Sequence, residues 1–314
     1  MFILLGMALF SAGKETLYML HSTPKVSAKT TSDNIYSNTP VNNLLENTPS
    51  QSFHGLTKTI RYSADQEEDL INSAIISLPL SSDSKITAKA YIVKDLTTNT
   101  TAFEHNSDRL LPIASLTKLV TAEVARQLIP QDKDIVITKD AFNTYGNTAG
   151  FKVGETITAR DLIYPLLMVS SNDAAEAYAR SYGRSSFIQA MNNFVRNIGA
   201  YRTYFDDPSG LSANNVSTAS DLALILNWIR VNDPEILKIT LLKSQTVHYH
   251  TWTNPTHFLN WSYYLGGKNG YTDEANRTTA ALFILGKNKD TYALIILGSE
   301  TRDPDMIRLM NKIK

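Results

Sequence analysis

The chain contains no cysteine. Disulfide staples, thiol catalysis and Cys-ligated zinc are therefore excluded, as is a lipoprotein anchor. Neither sign of charge is in excess: Lys+Arg and Asp+Glu both total 30, a formal net charge of zero, which argues against nucleic acid as a partner. Long apolar runs are missing too. Residues 2–13 are apolar, but Lys14 and Glu15 end the run. It is too short to span a bilayer comfortably and lacks the basic n-region of a complete signal peptide. Residues 1–21 therefore read as an apolar leader or the remnant of a signal-anchor. No His-Glu-x-x-His motif occurs. The nearest approach to a metal set is His248-x-His250, which on a strand would place two imidazoles on one face, with His257 downstream. Half-exposed polar residues are the plainer reading, and neither a metal nor a cofactor is expected.

What is present is a sizeable core. Hydrophobic residues make up 43% of 314, enough for one large domain. They are unevenly spread. Residues 22–63 are rich in Ser, Thr, Asn and Pro and cannot bury enough apolar surface to offset their ordering entropy. With a short amphipathic helix expected over 65–76 and a turn-rich stretch over 79–84, residues 22–80 read as a flexible tether and 81–314 as the folded domain. Strands are expected at 88–93 and 101–104, forming a hairpin, with a short extended piece at 134–138. Thr158 and Asp161 make a capping box ahead of an apolar helix that stops at Ser170. Helices follow over 174–182 and 187–198, the first capped from within Ser170-Ser171-Asn172 or by Asp173. Another carries Leu222, Ile225, Leu226 and Ile229, capped by Ser217 or Ser220. Three strands are expected at 264–272, 278–285 and 292–297, then a terminal helix at 304–313. Strands at both ends with helices between predict an α/β (α+β) fold, an antiparallel sheet flanked by helices with a helical subdomain.

Three short motifs carry the chemistry. Ser115-x-x-Lys118 stands at the start of a helix whose apolar positions are Leu116, Leu119, Val120, Val124 and Leu128. Residues three apart share a helix face, so Lys118 can reach the Ser115 hydroxyl. A serine hydroxyl needs such a base, and a desolvated lysine can be one. The spacing alone is weak, since it recurs at Ser11/Lys14, Ser22/Lys25 and Ser82/Lys85 without a helix to orient it. Ser170-Ser171-Asn172 follows, in a loop between two helices, and Lys268-Asn269-Gly270 lies on a strand near the C-terminal end. Their order and setting, rather than any one triplet, are informative.

In these features the chain resembles the serine-type D-alanyl-D-alanine carboxypeptidases, the low-molecular-mass penicillin-binding proteins of the β-lactamase/transpeptidase-like superfamily. The supporting stretches are Pro112-Ile-Ala-Ser-Leu-Thr-Lys118, Leu166-Leu-Met-Val-Ser-Ser-Asn-Asp-Ala-Ala175, Asp207-Pro-Ser-Gly-Leu211, Val216-Ser-Thr-Ala-Ser-Asp-Leu-Ala223 and Gly267-Lys-Asn-Gly-Tyr-Thr-Asp-Glu-Ala275, within about residues 86–300. The resemblance implies an acyl-enzyme on Ser115, formed with the D-Ala-D-Ala end of a peptidoglycan stem peptide or with a β-lactam. Lys118 would be the base. Ser170 and Asn172 would relay protons and hold the substrate amide, and Lys268 would add positive charge near the substrate carboxylate. The backbone N–H groups of Ser115 and Tyr271 would form the oxyanion hole. It also implies an extracytoplasmic, cell-envelope location, with any membrane attachment made through the N-terminal segment.

The third motif departs from the family's usual Lys-Thr-Gly: Asn269 replaces a Thr whose hydroxyl ordinarily contacts the carboxylate, and Gly270 follows it. An arginine that some members carry ahead of that motif is not evident, since no Arg lies between Arg230 and Arg277. Carboxylate recognition is thus where the chain is expected to differ, and a homologue that binds stem peptides or β-lactams with little turnover is one alternative. A β-lactamase is another. It would need a glutamate to activate water, and between Asn172 and Lys268 only Glu176 and Glu235 are available.

Overall fold

The structure, a computed structural model, describes residues 85–313. The expected leader, tether and 65–76 helix lie outside the described residues. The main sheet has five strands, β1 Ala90–Asp95, β2 Thr100–His105, β3 Tyr264–Thr272, β4 Asn276–Leu285 and β5 Asp290–Ser299, in the order β2-β1-β5-β4-β3. Every pairing is antiparallel. The N-terminal hairpin and the C-terminal meander therefore meet at β1–β5, where Ile92 faces Ile295 in register. Period-two alternation sends Ile92, Leu282 and Ile295 into one core and Val93, Phe283, Leu294 and Ile296 into another.

Helices cover both faces. The larger core holds α1 Thr117–Leu128, α2 Ala159–Met168, α3 Asn172–Tyr182, α4 Arg184–Asn197, α5 Ala219–Asn232 and α6 Pro234–Thr240. On the other face, α7 Arg302–Met310 contributes Met306 and Leu309. This is the mixed α/β architecture expected from the sequence. Helix α1 runs through the centre, and all of its first nine residues are buried. A helix with no exposed face at that end belongs inside a core, so its N-terminal turn is fixed by packing from all sides.

Some local expectations are corrected. Of the cap candidates at 170–173, the residue that caps α3 is Ser171, whose Oγ accepts from Ala174 N at 3.0 Å. Thr218 caps α5 by accepting from Asp221 N at 3.0 Å, rather than Ser217 or Ser220. Among adjacent short polar residues, the one in extended geometry just before the helix takes the role. Helix α6 and a single helical turn at Lys139–Phe142 were not foreseen.

Candidate active site

Ser115 sits in a 3-10 turn, Ala114–Leu116, and the α-helix proper begins at Thr117. The turn is forced. Ala114 has φ +48°, a left-handed conformation that costs a non-glycine residue about 1–3 kcal/mol and persists only where packing imposes it. Two glycines supply that packing. A Cβ on Gly210 would lie 2.0 Å from the Ala114 carbonyl oxygen, and one on Gly270 would lie 2.7 Å from Ser115 N. The 207–211 loop and strand β3 thus press on the turn from two directions, at a distance only glycine permits. The β3 backbone at Gly270 runs directly along the Ser115 amide. The Tyr271 side chain is not part of this arrangement: its hydroxyl donates to Asp273 Oδ1 at 3.0 Å, and Arg277 lies over its ring.

Lys118 is 0% exposed. Its Nζ reaches Ser115 Oγ at 3.0 Å, Asn172 Oδ1 at 2.7 Å and the Ser209 carbonyl oxygen at 2.6 Å. As a neutral amine it has two N–H bonds and one lone pair. The Asn172 and Ser209 oxygens accept the two N–H groups, and the lone pair then falls to the Ser115 hydroxyl. The geometry suits a general base and a bound nucleophile.

Asn172 is itself held. Its Nδ2 donates to the Tyr145 carbonyl oxygen at 2.8 Å and its backbone N to that of Asn147 at 2.7 Å. Next to it, the Asp173 carboxylate accepts from Ala149 N at 3.1 Å and from the Ser171 hydroxyl. Burial pushes the Asp173 carboxyl above the ordinary carboxylate range, despite those hydrogen bonds. Ser170 precedes the cap with φ +58°, a second left-handed non-glycine residue at the site.

Lys268 comes from edge strand β3, yet only 8% of it is exposed. Its Nζ donates to Ser170 Oγ at 2.9 Å and to the Asn269 carbonyl oxygen at 2.8 Å. The structure therefore brings Ser115, Lys118, Ser170, Asn172, Lys268 and Gly270 together. Asn269 borders a cavity of about 50 Å³ beside them, whose lining includes Ser170, Thr256, Lys268 and Arg302.

Sequence reasoning missed three contributors. Asp207 Oδ1 accepts from Ser209 N (2.6 Å) and Gly210 N (2.7 Å), and Oδ2 from Ser212 N (2.6 Å). It thereby shapes the loop that presents the Ser209 carbonyl to Lys118. Asn215 ties that loop to α1, its Nδ2 donating to Thr117 Oγ1 at 3.0 Å and to the Asp207 carbonyl at 2.9 Å. Asp207-Pro-Ser-Gly stood among the stretches that carry the resemblance, but its task was not legible there. Arg302, at the start of α7, supplies an arginine to the cavity from beyond the third motif rather than from ahead of it. Its Nε donates to Asp303 Oδ1 at 3.1 Å. Burial pushes the Asp303 carboxyl up, but the hydrogen bond from His257 and the charge of Arg302 outweigh it and hold it below the ordinary range.

The histidines do not converge. His248 stands in the turn of the 244–253 hairpin with φ +52°, so it does not share a strand face with His250. His250 pairs with Glu155 at 2.6 Å, and His257 Nδ1 lies 3.3 Å from Asp303 Oδ2. Among the described residues no group of three His, Cys, Asp or Glu side chains is placed to hold a metal ion. The two glutamates considered for water activation are engaged elsewhere: Glu176 with Arg180 and Arg184, Glu235 with Lys238.

A helix-start serine bonded to a buried lysine, with a Ser/Asn loop on one side and a Lys-bearing strand on the other, defines the class: acyl-transferring serine enzymes of the penicillin-binding type. Comparison with known proteins narrows it. The model of the D-alanyl-D-alanine carboxypeptidase family, peptidase S11, matches residues 77–299, and the chain belongs to that family of serine hydrolases. It is 31% identical over 248 residues to a D-alanyl-D-alanine endopeptidase of Pseudomonas aeruginosa, covering 74% of this chain and 78% of the relative. A D-alanyl-D-alanine carboxypeptidase structure from Mycobacterium tuberculosis H37Rv superposes with a TM-score of 0.67 at 26% identity, covering 75% of this chain and 93% of that one. Penicillin-binding protein D2 of Listeria monocytogenes, in its cefotaxime-bound form, superposes with a TM-score of 0.66 at 26% identity, covering 73% and 98%.

Proposed function

We propose that this chain is a DD-peptidase acting on the D-Ala-D-Ala ends of peptidoglycan stem peptides. Ser115 Oγ attacks the carbonyl carbon of the penultimate D-alanine and its proton passes to Lys118 Nζ. The oxyanion is held by the backbone N–H groups of Ser115 and Tyr271. As the C–N bond breaks, Ser170, bonded to Lys268, relays that proton from Lys118 to the departing amine, leaving Lys118 neutral again to take a proton from the hydrolytic water and return it to Ser115 Oγ. Water then hydrolyses the ester on Ser115. Asn172 holds the substrate amide, while Lys268, Asn269 and Arg302 receive the terminal carboxylate. A β-lactam enters by the same attack and leaves a stable ester. The observation that carries this reading is the buried Lys118, whose Nζ lies 3.0 Å from Ser115 Oγ, 2.7 Å from Asn172 Oδ1 and 2.6 Å from the Ser209 carbonyl oxygen.

In the same proposal the enzyme works outside the cytoplasm on the cell wall. Residues 81–314 form the catalytic domain, 22–80 a tether and 1–21 an apolar segment that attaches it to the membrane. Among the described residues no helix is long and apolar enough to cross a membrane, so the attachment rests on the sequence of the N-terminal segment alone. The test is release of free D-alanine from an N-acylated Lys-D-Ala-D-Ala peptide, run beside cleavage of a cross-linked stem-peptide dimer. Release of D-alanine that stops on pre-incubation with penicillin supports the reading, and no cleavage of either substrate sinks it.

A further inference from the structure

A hydroxyl outside all three motifs faces the carboxylate cavity. The segment Asn254-Pro255-Thr256 follows the 244–253 hairpin and is pinned along its length. Asn254 N donates to the Lys243 carbonyl at 3.0 Å, Asn254 Nδ2 to the Thr240 carbonyl at 2.9 Å, and Thr256 N to Asn254 Oδ1 at 3.1 Å. Proline fixes one φ in this segment, and a β-branched side chain restricts χ1 at its end. Thr256 Oγ1 is therefore a positioned atom on the cavity wall.

Its partner sets its polarity. Asn269 Oδ1 accepts from the Thr279 hydroxyl at 2.9 Å, which leaves Asn269 Nδ2 to donate to Thr256 Oγ1 at 3.2 Å. With Oγ1 accepting, the Thr256 hydrogen is left to donate, and among the described residues it has no acceptor. The cavity, about 50 Å³, is bordered by the cations Lys268 and Arg302 and by no carboxylate side chain. It has room for one or two waters or for the oxygens of one carboxylate.

We propose that Thr256 is a specificity-determining residue: oriented by Asn269, it donates its hydroxyl hydrogen to the C-terminal carboxylate of the substrate. A hydroxyl absent from position 269 is thus supplied by a different loop. This inference rests on the DD-peptidase reading.

The test uses the full chain and two substrates, an N-acylated Lys-D-Ala-D-Ala peptide with a free carboxylate and the same peptide ending in a carboxamide. Thr256→Val keeps the shape and removes the hydroxyl, and Thr256→Ser keeps the hydroxyl. Thr256→Val is expected to raise KM for the free acid about tenfold with little change in kcat, because the lost bond is made in the ground state and the transition state alike. The acid-to-amide selectivity should narrow by the same factor, and Thr256→Ser should restore both. Unchanged KM, or an equal loss on acid and amide, overturns the proposal, the second outcome marking a purely structural residue. If the wild type neither releases D-alanine nor takes a penicillin adduct, the DD-peptidase reading itself has failed. If the wild type is active and Thr256→Val matches it, this inference alone has failed.

Discussion

Lys118 and Lys268 share one cleft and are held in different ways. Lys118 is wholly enclosed, and three protein oxygens lie within hydrogen-bond reach of its amine. Its helix is buried on every side at that end, and glycine-only contacts fix the turn before it. Lys268 stands on an edge strand, beside a cavity whose wall is assembled from β3, the 254–256 segment and the start of α7. The chemical end is built from one rigid element and its supports. The recognition end is built from pieces distant in sequence, and position 269 can vary there while the next residue on β3, Gly270, keeps its contact with the Ser115 turn. This explains how the Ser115-x-x-Lys118 motif keeps its form while the third motif carries an Asn.

Breaking the chemical end should give the largest effect. Lys118→Ala removes the proposed base and is expected to slow acylation of Ser115 by about 10²–10⁴-fold, measured as the second-order rate of penicillin acylation. Gly210→Ala should come next. Its φ of +89° and the 2.0 Å approach to the Ala114 carbonyl leave no place for a Cβ, so the loop must move, Lys118 loses the Ser209 acceptor, and the melting temperature falls along with acylation. An acylation rate close to wild type in that variant would mean the loop is not what holds the turn. Lys268→Ala should cost about ten- to a hundredfold in kcat/KM for a free-carboxylate peptide, the worth of one charge-assisted hydrogen bond.

The smallest effect on turnover is expected at the far side of α1. Glu123 is buried, and burial, reinforced by Asp233, pushes its carboxyl up to about 7, against a hydrogen bond from Gln127. A carboxyl raised in the folded state favours folding while protonated. Its contribution is fully present below about pH 4.5 and is lost as pH rises to about 7. Wild type should therefore lose melting temperature between pH 5 and 8, whereas Glu123→Gln should flatten that slope and leave penicillin acylation unchanged. An equal slope in both proteins would remove Glu123 from the account.

How much of this was legible in the sequence follows the same division. Strand β3 was read with its observed ends, and β4 and β5 were each read two residues short at one or both ends, because alternating apolar residues are explicit there. Ser115 and Lys118 were legible because an i, i+3 pair on a helix is a local fact. The left-handed turns at Ala114 and Ser170 were not, since neither residue is a glycine and tertiary packing imposes the conformation. Arg302 and Thr256 carry no local signature at all. They reach the cavity because the chain leaves the meander into α7 and because the 254–256 segment, pinned to the Thr240 and Lys243 carbonyls, lies beside β3.

The central claim is that Ser115, activated by a buried Lys118, becomes acylated. Intact-protein mass spectrometry after incubation with penicillin tests it most directly, with the modified residue located by peptide mapping. One adduct on Ser115 is expected in the wild type and none in Ser115→Ala. An adduct that persists in Ser115→Ala, or maps to another serine, would contradict it.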